Sequence, residues 1–223
     1  MKKIKRIVFG MIAAVVLFVL VLVGNLMVFE RNAKIISKGE PVKKYTQINQ
    51  ALLVIDIQEA TTGEISLTPF YKSESEGLIK NINTLANAFN KQDLPVIYIR
   101  SEISNPLINL LNSSYARGSV GAQLDNRLTI VSNYEIVKSR NDAFFNTTLD
   151  SVLVTNQINK LYMVGLDVAH CIKYTVEAAQ NRNYKIGLIK EAVLSESVEM
   201  RDSMLFEFAE QGIEITTIDD FQP

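Results

Sequence analysis

The chain has a single cysteine, a single histidine and almost no net charge: 23 Lys and Arg against 24 Asp and Glu leave −1 across 223 residues. One cysteine cannot close an intramolecular disulfide, so the fold does not depend on an oxidising compartment. Balanced charge offers no electrostatic footprint for a nucleic acid, and no nucleic-acid partner is expected. No internal repeat and no low-complexity segment interrupts the chain. The largest absence is local: residues 7–29 form a run of 23 without one charge, broken only by Gly10, Gly24 and Asn25.

That run follows a basic tail, MKKIKR (1–6). As a helix rising about 1.5 Å per residue it spans about 35 Å, enough to cross a hydrocarbon core of about 30 Å. A cleavable signal peptide shares the basic start but has a shorter apolar stretch ending in small residues. Here the stretch continues through Leu26, Met27, Val28 and Phe29 into Glu30 and Arg31, with no Ala-x-Ala-like site. The segment therefore reads as an uncleaved signal anchor, with the cell membrane as a partner. Cations flank both ends: Lys2, Lys3, Lys5 and Arg6 on one side, Arg31, Lys34, Lys38, Lys43 and Lys44 on the other. The short, strongly basic tail is the end expected to stay in the cytoplasm, which places residues 30–223 outside. Residues 30–46, polar and lysine-rich with Gly39 and Pro41, read as a linker, and the folded domain is expected over 47–223.

Within the domain, short apolar runs alternate with helical periodicity. Strands are predicted at 51–57, 95–99, 134–137, 161–165, 185–189 and 213–217, and helices at 78–90, 148–155, 171–181 and 198–211. This order predicts a three-layer α/β/α sandwich with a mostly parallel, Rossmann-like sheet, preceded by one transmembrane helix. Residues 100–132, with Gly118 and Gly121, form a long irregular stretch, either a functional loop or a surface insertion.

Open parallel sheets hold their ligands at the carboxyl ends of the strands. Asp56 interrupts the apolar run of the first strand near its end, Lys138 follows the third, and Cys171 follows the fourth. Cys171 also opens a helix, where unpaired N–H groups and the helix dipole favour thiolate. Each residue alone has an ordinary reading: a turn cap, a solvated lysine, a buried apolar thiol. Together, at three strand ends, they converge on one crevice.

Four pieces carry a resemblance: LLVIDIQ (52–58), LPVIYIR (94–100), VKSRNDAFFNTTLD (137–150) and GLDVAHCIKYTVEAAQNRNYKIGLIKEAV (165–193). The chain resembles the isochorismatase-like cysteine hydrolases, which include nicotinamidases and N-carbamoylsarcosine amidohydrolases, over about residues 48–220. The most specific piece is the last: a glycine, five intervening residues, then a cysteine opening a helix that carries a Thr and an Ala-Ala pair. The resemblance implies a triad of Asp56, Lys138 and Cys171. It also implies a cis peptide bond between Leu166 and Asp167, with the backbone N–H groups of Asp167 and Cys171 as the oxyanion hole.

By the same resemblance the chain is expected to be a hydrolase of the amidohydrolase type, acting on a small amide or carbamoyl compound through a thioester and needing no cofactor. Isochorismate-cleaving members use the aspartate and need no cysteine, so Cys171 argues for C–N hydrolysis over vinyl-ether cleavage. Nicotinamidases hold a metal through an aspartate and several histidines. With His170 alone, no metal site of that type is expected. His170 is a candidate substrate contact or a surface residue at the helix start. EATTG (59–63) replaces the Asn-Asp-Phe that many members carry, leaving Phe70, Tyr71 or Tyr115 as substitutes for the usual pocket aromatic. A catalytically silent, membrane-tethered binding or scaffold protein is the reading of a different class. Thiol reactivity separates the two, since an activated Cys171 alkylates rapidly near neutral pH and an inert one does not. Assembly into a homo-oligomer is compatible with either.

Overall fold

A computed structural model describes residues 2–221. Its centre is a six-stranded, all-parallel sheet in the order β3-β2-β1-β4-β5-β6. The strands are β1 (Gln50–Ile55), β2 (Val96–Ser101), β3 (Tyr134–Lys138), β4 (Lys160–Gly165), β5 (Lys185–Val193) and β6 (Glu214–Thr216). All but one residue of β1 and of β4 are fully buried, as strands covered on both faces must be. The helix α2 (Pro69–Lys91) covers one face through Leu78, Ile82, Leu85 and Phe89, set at helical spacing. The other face is covered by α4 (Leu149–Thr155), α5 (Cys171–Gln180) and α6 (Val198–Glu210), through Leu153, Val176 and Phe208 among others. The expected three-layer α/β/α architecture is present.

The strand order reverses between β1 and β4. From β1 the chain adds β2 and β3 on one side, then returns to place β4, β5 and β6 on the other. Such a switch opens a crevice at the carboxyl ends of the two central strands. A cavity of about 620 Å³ at the opposite end of the sheet is lined by Gln50, Glu214 and Phe221, away from Cys171.

Several boundaries differ from the sequence reading for local reasons. Strand β1 stops at Ile55 instead of continuing to residue 57, because Asp56 adopts a left-handed backbone (φ 53°) and turns the chain out of the sheet. Helix α2 begins nine residues before the predicted 78, at Pro69, whose fixed φ suits a first helical turn. The long stretch 100–132 is not wholly irregular. It contains α3 (Pro106–Leu111), capped by the Asn105 side chain, which accepts from the N–H groups of Leu107 and Ile108.

The first helix, α1 (Lys2–Ala33), is long and apolar enough to cross a membrane, and none of its residues is buried. After it, the polar stretch read as a linker runs against the domain. Ile36 and Val42 pack on the core, the Ser37 N–H donates to Asp142 Oδ2 at 2.7 Å, and the Val42 N–H donates to the Arg182 carbonyl at 2.7 Å. Arg182 is the anchor of this contact. Its side chain is 2% exposed, donates to both Asp150 carboxylate oxygens at 2.8 and 2.9 Å, reaches the Ala178 and Ser37 carbonyls, and lies 4.4 Å from the Phe144 ring centroid. Replacing Arg182 by alanine removes these bonds together with the packed stem. The expected cost is about 2–3 kcal/mol, read as a lower urea midpoint of the full chain in detergent. A shift equivalent to under about 0.5 kcal/mol, the level of an ordinary surface change, would show that the contact is incidental.

Candidate active site

The three residues picked out at the strand ends meet. Lys138, the last residue of β3, has a fully buried side chain, and its ammonium donates to three acceptors: Asp56 Oδ2 at 2.7 Å, Ser101 Oγ at 2.8 Å and Cys171 Sγ at 3.2 Å. Three donors on one nitrogen and three acceptors around it leave nothing unsatisfied. The Ser101 hydroxyl in turn donates to Asp56 Oδ1 at 3.0 Å, so both carboxylate oxygens are held.

The backbone beneath this cluster is pinned by residues that do not reach it. The Thr61 hydroxyl donates to the Asp56 carbonyl at 2.6 Å and fixes the left-handed turn. Gln58 brackets Ser101, accepting from its N–H at 2.7 Å and donating to its carbonyl at 3.0 Å. On the other side of the crevice, Gly165 has φ +110°, and a Cβ there would collide with the Ile55 carbonyl. Only glycine lets the end of β4 approach β1 so closely.

The loop from β4 into α5 leaves two backbone donors free. The N–H groups of Val168, Ala169 and His170 are engaged by the Leu194 carbonyl, Asp167 Oδ1 and the Asp167 carbonyl, respectively. Among the described residues, the N–H groups of Asp167 and Cys171 have no protein acceptor. The peptide bond between Leu166 and Asp167 is cis. The Asp167 carboxylate is itself tethered, accepting from the Tyr71 hydroxyl at 2.5 Å and from the Ser195 hydroxyl at 3.0 Å. Burial, and next the bond to Asp167, push the Tyr71 phenol well above its ordinary value, so it stays a donor.

Asp56, Ser101, Asp167 and Cys171 line a cavity of about 260 Å³ together with Tyr71, Tyr115, Ile103, Arg140 and Asn141. Of the three aromatics considered as pocket residues, Tyr71 and Tyr115 lie in its wall and Phe70 does not. Burial, and next the Asp56 carboxylate, hold the Tyr115 hydroxyl protonated. Ser101 and Asn141 escaped the sequence reading. A serine closing a strand and an asparagine three residues past a lysine have no distinguishing pattern, although Asn141 Oδ1 lies 3.7 Å from Cys171 Sγ.

Electrostatics correct one expectation. A cysteine opening a helix was expected to be acidified, but burial, and next the adjacent Asp56 carboxylate, raise the Cys171 thiol to about 12, against the opposing pull of Lys138. The resting group is a thiol with a base beside it. Burial would lower the Lys138 ammonium, but Asp56 and Cys171 outweigh it and hold lysine above its ordinary value.

The isochorismatase domain model matches residues 50–220. The chain belongs to the isochorismatase family. A probable inactive nicotinamidase of Arabidopsis thaliana is 28% identical over 184 residues, covering 76% of this chain and 93% of that protein. N-carbamoylsarcosine amidase of an Arthrobacter species is 26% identical over 156 residues, covering 64% and 58%. Among solved structures, an isochorismatase-like hydrolase from Alkaliphilus metalliredigens matches with a TM-score of 0.68 at 20% identity, covering 78% of this chain and 96% of that one. N-carbamoylsarcosine amidase from Thermoplasma acidophilum matches at 0.65 and 22%, covering 77% and 98%. At such identities these structures show the isochorismatase-like fold. Among the described residues, no three or more His, Cys, Asp or Glu side chains are grouped to hold a metal ion. His170 is exposed, with Nε2 4.0 Å from Glu196 Oε1, and lies outside the cavity wall.

Proposed function

We propose that this isochorismatase-family member is a membrane-anchored cysteine hydrolase that cleaves the C–N bond of a small amide or carbamoyl compound. The observation that carries the reading is the single ammonium of Lys138 bonded at once to Asp56, Ser101 and Cys171, beside two unengaged N–H groups. The naming of one relative as an N-carbamoylsarcosine amidase supports the substrate class.

In the first half-reaction, Asp56 takes the thiol proton as Cys171 Sγ bonds to the substrate carbonyl carbon. Lys138, already beside the sulfur, balances the thiolate. The carbonyl oxygen gains negative charge and accepts hydrogen bonds from the Asp167 and Cys171 N–H groups. Donors of this kind are worth about 3 kcal/mol each in the transition state. The C–N bond then breaks, the proton on Asp56 passes to the leaving nitrogen, and ammonia or an amine departs from a thioester. In the second half, Asp56 takes a proton from water, the hydroxide adds to the thioester carbon, the C–S bond breaks, and Cys171 recovers its proton as the acid leaves.

Helix α1 anchors the enzyme, and the short basic tail holds its amino end in the cytoplasm, so the hydrolase domain faces outward. Mass spectrometry of the full chain, quenched during turnover of small amides and carbamoyl compounds, tests the reaction. The expected result is an acyl mass on Cys171 that never appears in Cys171→Ala. Turnover of any such compound by Cys171→Ala at the parent rate would overturn the mechanism. Turnover of isochorismate alone would move the reading to vinyl-ether cleavage.

A further inference from the structure

The catalytic cavity has one wall that does not come from the hydrolase domain. Phe29 and Ala33, one helical turn apart on α1, line it alongside Asp56, Tyr115 and Cys171. Asn25, one turn earlier on the same face, accepts a hydrogen bond from Asn105 Nδ2 at 3.0 Å. The carbonyls of Asn32 and Ala33 accept from the Arg140 guanidinium at 3.0 Å and the Asn141 N–H at 3.4 Å. A second cavity, of about 200 Å³, shares Phe29, Ala33, Ile103, Ser139 and Arg140 with the first and extends to Asn105. A path thus leaves Cys171 and runs along α1 toward its apolar segment.

The depth of that path follows from helix geometry. The uncharged run of α1 ends at Phe29, so Asn25 sits about 6 Å inside it at about 1.5 Å per residue. Helix α3, held to Asn25 through its cap Asn105, is brought to the same level. It presents Leu110 and Leu111 to the outside, 65% and 55% exposed. Two leucines exposed beside a membrane-spanning segment belong in the headgroup and acyl boundary. The cavity mouth therefore opens at the bilayer surface, with an apolar side chain of the anchor as its sill.

We propose that the substrate is an amphiphilic amide taken from the membrane surface, its scissile carbonyl at Cys171 and its apolar chain lying along α1 past Phe29 toward Asn105. The proposal rests on the preceding reading of Cys171 as nucleophile and α1 as a membrane anchor, and it adds that the anchor is part of the substrate site.

The test uses the full chain in phosphatidylcholine nanodiscs and alkylation of Cys171 by N-methyl, N-butyl and N-octyl iodoacetamide, followed by mass spectrometry. Sulfur bonds to the reagent's methylene carbon as iodide leaves, and the thiol proton passes to buffer. Phe29→Ala, which removes the sill, and Ala33→Trp, which blocks the path, are measured in the same discs, so reagent partitioning into lipid cancels. The octyl-to-methyl rate ratio is expected to be at least about tenfold higher in the parent than in either variant, since each buried methylene contributes favourably. Ratios equal within about twofold across the three proteins overturn the proposal. Because alkylation needs only a reachable thiol, this outcome is independent of hydrolysis. Absence of turnover on every amide, with the alkyl ratio as expected, counts against the reaction and not against the path.

Discussion

Asp56→Asn is expected to slow amide hydrolysis by about a thousandfold, the range set by loss of a positioned general base, and at the same time to make Cys171 alkylate faster. The two effects have opposite signs because the carboxylate has two roles. As the proton acceptor of the proposed mechanism it is needed for attack. As a negative charge beside sulfur it opposes thiolate and, after burial, is the largest influence raising the thiol to about 12. Asparagine keeps the shape, loses the basicity and removes the repulsion, while Lys138 still favours thiolate. At pH 8 the parent therefore alkylates more slowly than free cysteine, whose ordinary value is about 8.5, and the variant more quickly than the parent. Iodoacetamide rates from pH 7 to 10, beside kcat, check this. Slower alkylation in Asp56→Asn would show that Asp56 does not hold the thiol neutral, and unchanged turnover that it does not receive the thiol proton.

Lys138→Met is expected to remove activity and to cost about 3–5 kcal/mol of stability, because it leaves a buried carboxylate with only the Ser101 hydroxyl to meet it. Asp56 is 5% exposed, so water reaches it poorly. The double variant Asp56→Asn with Lys138→Met, which removes both charges, is expected to recover much of that loss. Urea unfolding of the parent, both single variants and the double variant measures the coupling. Additivity within about 0.5 kcal/mol would mean that the pair is not coupled. The pH sign is fixed by the same pair. Lysine's folded value lies above its unfolded value of about 10.4. Its stabilisation is therefore complete below that pH and fades only as the medium rises toward the higher, folded value.

The outline of this site was visible in the sequence because it is built from residues that stand out against their surroundings. An aspartate closing ALLVI, a lysine closing YEIV and a thiol opening an amphipathic helix break apolar patterns at strand ends, where a parallel sheet gathers them. Ser101 and Asn141 break no pattern, and their roles depend on which atoms tertiary folding brings near. The expected thiolate failed for a related reason: a helix start is a local feature, whereas burial and the Asp56 carboxylate arrive from 115 residues away in the chain. Phe29 was legible as the end of an apolar segment and Ala33 as part of a linker, and neither as cavity wall, since periodicity shows that a helix exists and not what it rests on. The same holds for Ile36 and Val42, which composition assigned to a polar linker and the domain surface takes up.

The buried Lys138 bonded to Asp56 and Cys171 also fixes how the site handles charge. At rest the three groups are one cation, one anion and one neutral thiol, which sum to zero. When, in the proposed mechanism, the proton moves from sulfur to carboxylate they become one cation, one neutral acid and one thiolate, which again sum to zero. No ion has to enter or leave the crevice for the nucleophile to form. Salt, which screens exposed charges over about 8–10 Å, therefore has little purchase on that step, and the proposed chemistry should be nearly indifferent to ionic strength.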